Sequence, residues 1–127
     1  MPLQRILQPD KGSLEPGMVT LDAVFTMGAS GAVSAASGKG FTTSSWTDNG
    51  VGDFTVALPG VGTLDLRAVT LTIEDASQDL VCVLKTVSEA NRTVNFKVMD
   101  LATPSAADPT SGAKVRLTVR HKESSAA

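Results

Sequence analysis

Side chains that carry chemistry are scarce in this chain. It has one cysteine, Cys82, and one histidine, His121, among 127 residues. A single cysteine excludes an intrachain disulfide framework and any multi-cysteine zinc site. A single histidine excludes most His-rich metal and proton-shuttle sites. Tyrosine is absent, and the aromatic residues are four Phe and Trp46. An excess of one charge is lacking too, since 11 basic residues face 13 acidic ones for a net charge of -2. That balance excludes general electrostatic binding of nucleic acid and a polybasic membrane-surface mode. No apolar run approaches about 18 residues, so no transmembrane helix is expected. In the stretch MPLQRILQPDKG, Pro2, Pro9 and charged residues interrupt the place where a signal peptide needs an unbroken apolar core. No signal peptide is therefore expected, and the expected setting is a bacterial-type cytoplasm.

What is abundant is β-branched and turn-forming. Val and Thr each occur 14 times beside 11 Gly, a composition that favours strands over helices. The length fits one domain, which can bury roughly two-thirds of its unfolded surface without staples.

Residues 1–16 read as an extended N-terminal arm. Pro2, Pro9 and Pro16 each remove a backbone donor and disfavour helix before them. Leu3, Ile6, Leu7 and Leu14 are aliphatic without strand-like alternation. They need a surface to bury against, either the chain's own β-domain or a partner chain. Residues 17–122 read as one β-domain and 123–127 as a polar tail.

Within the domain, alternation places a first strand over 18–27, with Val19, Leu21, Ala23 and Phe25 on one face. Of the twenty residues 28–47, sixteen are Gly, Ala, Ser or Thr, which reads as a long surface loop or as a weak strand pair packed on a neighbouring subunit. Trp46 at its far end fits core filling, or an exposed anchor for a partner. Asp48-Asn49-Gly50 signals a turn. Further strands are expected over 53–58, 64–74, 80–87, 93–99 and 115–119. Inward parity changes between Leu66 and Val69, which places a bulge near Arg67-Ala68. The nearly continuous apolar run Leu80 to Leu84 suggests burial on both faces. Glu89 to Arg92 reads as a hairpin loop. Short strands at close spacing, with no convincing helix, give an all-β fold: a small antiparallel β-sandwich or barrel of about six to eight strands.

Catalytic constellations do not assemble. His121 reads as the start of the C-terminal tail, and Cys82 lies in the most apolar strand, where a thiol is inert packing. The nine Asp and four Glu are scattered, without the alternating acidic spacing of a calcium loop. Asp48, Asp53, Asp75 and Asp79 flank turns, where the side chain caps backbone groups. The glycine pairs lack the strand-to-helix context and the Lys-Ser/Thr of a phosphate loop. No catalytic residue, metal ligand or cofactor is expected, and the chain reads as a non-enzyme.

One charged feature is sharper. Lys114, Arg116, Arg120 and Lys122 share a strand face with Thr118, while Val115, Leu117 and Val119 fill the other. This is either a solvated face with acidic neighbours or a docking stripe for an acidic protein surface. Without interleaved aromatics it does not suit nucleic acid. As an edge strand it would discourage edge-to-edge aggregation.

Two stretches carry a resemblance. Asn49-Gly50-Val51-Gly52-Asp53-Phe54-Thr55-Val56-Ala57-Leu58, and Ala107-Asp108-Pro109-Thr110-Ser111-Gly112-Ala113-Lys114-Val115-Arg116-Leu117 before the last strand, resemble runs in small virion proteins of tailed bacteriophages. The likeness spans about Val19 to Val119, with Phe54 where Tyr is common. Such proteins are commonly head decoration or cement proteins. The resemblance implies an all-β fold that binds the outside of the major capsid protein lattice and reinforces it, as a homo-oligomer on the capsid exterior, assembled in the host cytoplasm without nucleic acid or membrane. The interface residues expected from this reading are Leu3, Arg5, Ile6, Leu7, Trp46, Lys114, Arg116, Arg120 and Lys122. The alternative is a carbohydrate-binding or adhesion module, such as a head or tail fibre domain, and a small enzyme is the weakest reading.

Overall fold

A computed structural model describes residues 18–60 and 63–122. The sequence-expected arm, including Leu3, Arg5, Ile6 and Leu7, and the tail over 123–127 lie outside the described residues. The chain is all-β and antiparallel. Nine strands follow in order: β1 (Met18–Met27), β2 (Val33–Ser37), β3 (Trp46–Gly50), β4 (Asp53–Ala57), β5 (Asp65–Glu74), β6 (Leu80–Ser88), β7 (Thr93–Asp100), β8 (Ser105–Ala106) and β9 (Lys114–Lys122). Among the described residues only two single 3-10 turns, Ala29–Gly31 and Thr43–Ser45, break the pattern, and no helix is long and apolar enough to cross a membrane.

The strands form two sheets. The first has the order β2-β1-β9-β5, and the second β3-β4-β7-β6, with β8 added on β7. Period-2 alternation turns one face of each inward. Ala23, Phe25 and Met27 of β1 and Val115, Leu117 and Val119 of β9 meet Phe54 and Val56 of β4 and Val94, Phe96 and Val98 of β7 in one core. The bulge expected near Arg67-Ala68 is present, where the β5–β9 register slips between Leu66 and Ala68. It lets Leu66 and Val69, three residues apart, both face the core side.

Four readings are changed. Of the two for residues 28–47, the long loop gives way to strand pairing, but within one chain: β2 pairs with β1 from Val24 opposite Ser37 to Met27 opposite Val33. Small residues suffice there because the ladder is made by backbone, and Trp46 and Phe41 at the far end supply the bulk that pins the segment down. Asp48-Asn49-Gly50 is not itself the turn but the end of β3. The Asp48 carboxylate accepts the Gly50 N–H at 3.0 Å, and this local bond coincides with a register slip that moves the reversal to Val51 and Gly52. β6 is not buried on both faces. It closes the edge of its sheet, leaving Val81 37%, Val83 45% and Leu84 45% exposed. Finally, His121 is not the start of a tail: β9, which lies between β1 and β5, continues through it, and the residue is 1% exposed.

Candidate interaction surfaces

The five aromatic rings of the chain all lie in the core. Trp46 sits 4.7 Å from Phe54, 5.2 Å from Phe25 and 5.5 Å from Phe96 between ring centroids, and its indole N–H donates to the Gly31 carbonyl at 3.1 Å. At 7% exposure it cannot be a surface anchor. Its placement follows from opening β3 directly opposite Val56 of β4, on the inward parity of that strand. No ring remains on the surface to stack on a sugar face.

The basic stripe is where the sequence places it. Lys114, Arg116 and Arg120 are exposed on the outer face of the first sheet, and Lys122 is half-buried at its end. The neighbouring strands bring acidic groups among them. Arg116 Nη1 meets Glu74 Oε1 at 2.8 Å, and Thr118 donates to Asp22 Oδ1 at 2.9 Å. Asp65 of β5 lies opposite Lys122. A hydrogen bond from Arg67 is the main reason the Asp65 carboxyl sits below its ordinary range, with the Lys122 charge adding to it. The face is therefore a weave of both signs among threonines. Exposed pairs of this kind add little net stability, because water and salt screen them. Among the described residues the Lys114 and Arg120 side chains make no ion pair or hydrogen bond; of the two readings of the stripe, the solvated face with acidic neighbours describes the Arg116–Glu74 part of it.

The outer face of the second sheet has two characters. Around Asp53, at the start of β4, a polar network closes on itself. Asn95 Nδ2 donates to Asp53 Oδ1 at 2.9 Å, Lys85 Nζ lies 3.0 Å from Oδ2, and Asn49 joins Thr55 Oγ1 at 2.7 Å. The Asn95 bond, then Lys85, hold the Asp53 carboxyl below the usual carboxylate range. Beside it the face turns apolar. Val81 of β6 is opposite Met99 of β7, which is opposite Ala106 of β8. These three form a cross-strand row on the solvent side, with Val83 next to it on β6. The sequence showed this run of valines but not its exposure, because an apolar run on an edge strand has the same pattern as a buried one.

At one end of the sandwich, loops replace chemistry with turn-making. A cleft of about 300 Å³ is lined by residues including Glu74, Asp75, Ser77, Thr110 and Lys114. The Asp75 carboxylate there accepts the N–H groups of Thr110 at 2.8 Å and Ser77 at 2.9 Å. Burial works to raise its pKa, but these bonds outweigh it and hold the group low. The two stretches that carry the resemblance meet nearby: Asp108 Oδ1 accepts the Gly52 N–H at 2.9 Å, and the Gly52 carbonyl accepts the Val98 N–H at 2.8 Å. Gly52 and Asp108 thus fasten the β3–β4 turn to the loop before β9.

Two polar side chains, one expected in the tail and one in a hairpin loop, are buried. His121 faces inward in line with Val119 and Leu117, and neither ring nitrogen has a partner among the described residues. Arg92, in a left-handed conformation with φ 57°, donates from Nη2 to the Pro59 carbonyl at 2.5 Å, while its Nε is unpaired. On β6, Cys82 faces the core side opposite Val98, and burial pushes its thiol up to about 12, so it is not a thiolate nucleophile at neutral pH. Among the described residues no group of three or more His, Cys, Asp or Glu side chains is placed to hold a metal ion.

Compared with family models, with curated proteins and with solved structures, the chain matches none.

Proposed function

We propose that the protein is a non-enzymatic structural virion protein that binds the outside of a tailed-phage capsid lattice and reinforces it. The observation that carries this reading is the apolar row Val81, Met99 and Ala106 with Val83 on the solvent face of the second sheet. A cement protein needs an attachment face more than a reaction centre. Each copy can bind weakly, because many copies act together on one shell. A contiguous apolar patch beside a polar network, here the Asp53 cluster, is the composition of such a face. The resemblance of the 49–58 and 107–117 stretches to phage virion proteins supports the same reading. The partner is the major capsid protein, and the chain acts in several copies on the capsid exterior. The burial of all five aromatic rings weighs against the carbohydrate-binding alternative, which needs rings at the surface.

The test is co-sedimentation of purified protein with empty heads of its source phage. The unmodified chain pellets with heads, whereas Val81→Lys and Val83→Lys, which leave the core intact, lose attachment at least tenfold. Failure of the unmodified chain to pellet, or undiminished binding by both variants, overturns the reading. A competable hit on a glycan array would favour the carbohydrate alternative instead.

A further inference from the structure

The inner rims of β5 and β6 leave one side of the sandwich open. Leu71 and Ile73 on β5 and Leu80 and Cys82 on β6 are only half-buried, and Leu84 is 45% exposed although it faces the core side opposite Phe96. Both strands end their sheets, and they do not pair with each other. At one end the rims are tied where the Leu64 N–H donates to the Glu89 carbonyl at 2.8 Å and the Leu66 N–H to the Glu89 carboxylate at 3.0 Å. At the other end the chain itself turns from β5 into β6. The stretch between combines a β6 edge that no described strand pairs with and an aliphatic floor, which is the arrangement that accepts an added strand.

We propose that the N-terminal segment of the same chain, residues 1–17, lies along this opening and pairs with the free edge of β6. Its point of departure fits. β1 begins at Met18, opposite Lys122 of β9, and Lys122 is opposite Asp65, the first residue of β5. The segment thus leaves the sheet two strand spacings, about 10 Å, from β5 at the Leu64–Glu89 end of the opening. Its length fits as well. Seventeen residues reach about 55 Å when extended, against about 33 Å for a strand the length of β5. Its chemistry is complementary, because Leu3, Ile6, Leu7 and Leu14 supply the aliphatic cover that the rims lack, and residues 3–8, between Pro2 and Pro9, keep every backbone donor. Residues 123–127 are too short and carry nothing more apolar than alanine. The tether makes closure intramolecular, at an effective concentration that favours the chain's own segment over a second copy. The opening lies on the inner side of the sheet whose outer face carries the Val81 row, so this inference and the proposed function stand or fall separately.

Native Cys82 provides the probe. Leu3→Cys, Ile6→Cys and Leu7→Cys are each made in the full-length chain and oxidised mildly at pH 8.5. As a control of equal tether length, the same three positions are paired with Val81→Cys in a Cys82→Ser background, one residue along β6 on the solvent face. At least one of the three variants should form an intramolecular disulfide with Cys82, mapped by peptide mass spectrometry, at least tenfold faster than with Val81→Cys. Rates no faster than that control for all three overturn the proposal. So does a Cys82–Cys82 dimer of the unmodified chain, or a link between chains, since either puts a second copy in the opening. A second readout does not depend on which residue meets Cys82. With Leu3→Ser, Ile6→Ser and Leu7→Ser combined and the far-ultraviolet circular dichroism unchanged, the Cys82 thiol should react with an aromatic disulfide reagent at least fivefold faster. Unchanged reactivity contradicts the proposal.

Discussion

Replacing Trp46 separates a core role from a surface role by magnitude alone. Its indole touches Phe25, Phe54 and Phe96 and hydrogen-bonds the Gly31 carbonyl. Truncating a buried Trp to Ala costs about 3–5 kcal/mol in lost transfer energy and cavity formation. Aromatic contacts of this geometry add about 0.5–1.5 kcal/mol each beyond area, which places the cost at the upper end of that range. A domain of this size holds about 5–15 kcal/mol in total, so Trp46→Ala should forfeit a large share of it and lower Tm by roughly 10–20 °C. Trp46→Phe keeps a ring in place and leaves the Gly31 carbonyl unpaired, for a cost of about 1–2 kcal/mol. Urea unfolding followed by circular dichroism measures both, and the unchanged slope against urea checks that the two-state comparison holds. A loss below about 1 kcal/mol for Trp46→Ala, the range of ordinary surface substitutions, would refute the packing argument. It would return Trp46 to the list of surface anchors.

Gly52→Ala should destabilise by about 2 kcal/mol or more, because φ is +66° and a Cβ would lie 2.7 Å from the Val98 carbonyl and 2.8 Å from the Ala107 nitrogen. A chemical melt within 0.5 kcal/mol of the parent chain would show that the turn relaxes. His121→Leu removes two unpaired buried nitrogens from an apolar row and should be neutral or stabilising by about 1 kcal/mol; a loss above that would reveal a partner for the ring. Because its hydrogen bonds hold Asp53 below the ordinary carboxylate range, the native state binds fewer protons than the unfolded chain in the window below about pH 4. The stability that Asp53 supplies is therefore complete above that pH and lost as pH falls through its folded value. The unmodified chain should outlast Asp53→Asn in melts at pH 6, and the difference should vanish near pH 2; a difference constant across that range contradicts the network.

The strands that alternate cleanly were legible in the sequence: β1, β4, β7 and β9 appear where Val19 to Phe25, Phe54 to Leu58, Val94 to Val98 and Val115 to Val119 place them. The parity change between Leu66 and Val69 even located a bulge. β2 was harder, because Ser34, Ala35 and Ala36 offer no apolar contrast and the strand exists through backbone pairing with β1. β6 was misread for the opposite reason, because Val81 to Leu84 is apolar at every position and periodicity cannot say which neighbour covers it. The basic residues of β9 were found, but Asp65 and Glu74 lie roughly 40 to 60 residues away in sequence and come beside Lys122 and Arg116 only through the sheet register. His121 was taken for tail because a lone histidine after Arg120 looks polar, whereas its parity with Val119 was the signal that placed it inside.

We propose that this domain works by sitting on a shell through the Val81–Met99–Ala106 face. A cryo-electron microscopy map of source-phage heads carrying the protein tests that claim most directly. The account predicts density for a two-sheet domain outside the capsid lattice, with β6, β7 and β8 turned toward the major capsid protein. Bare heads, or a domain docked through the outer face of β9 instead, would contradict it.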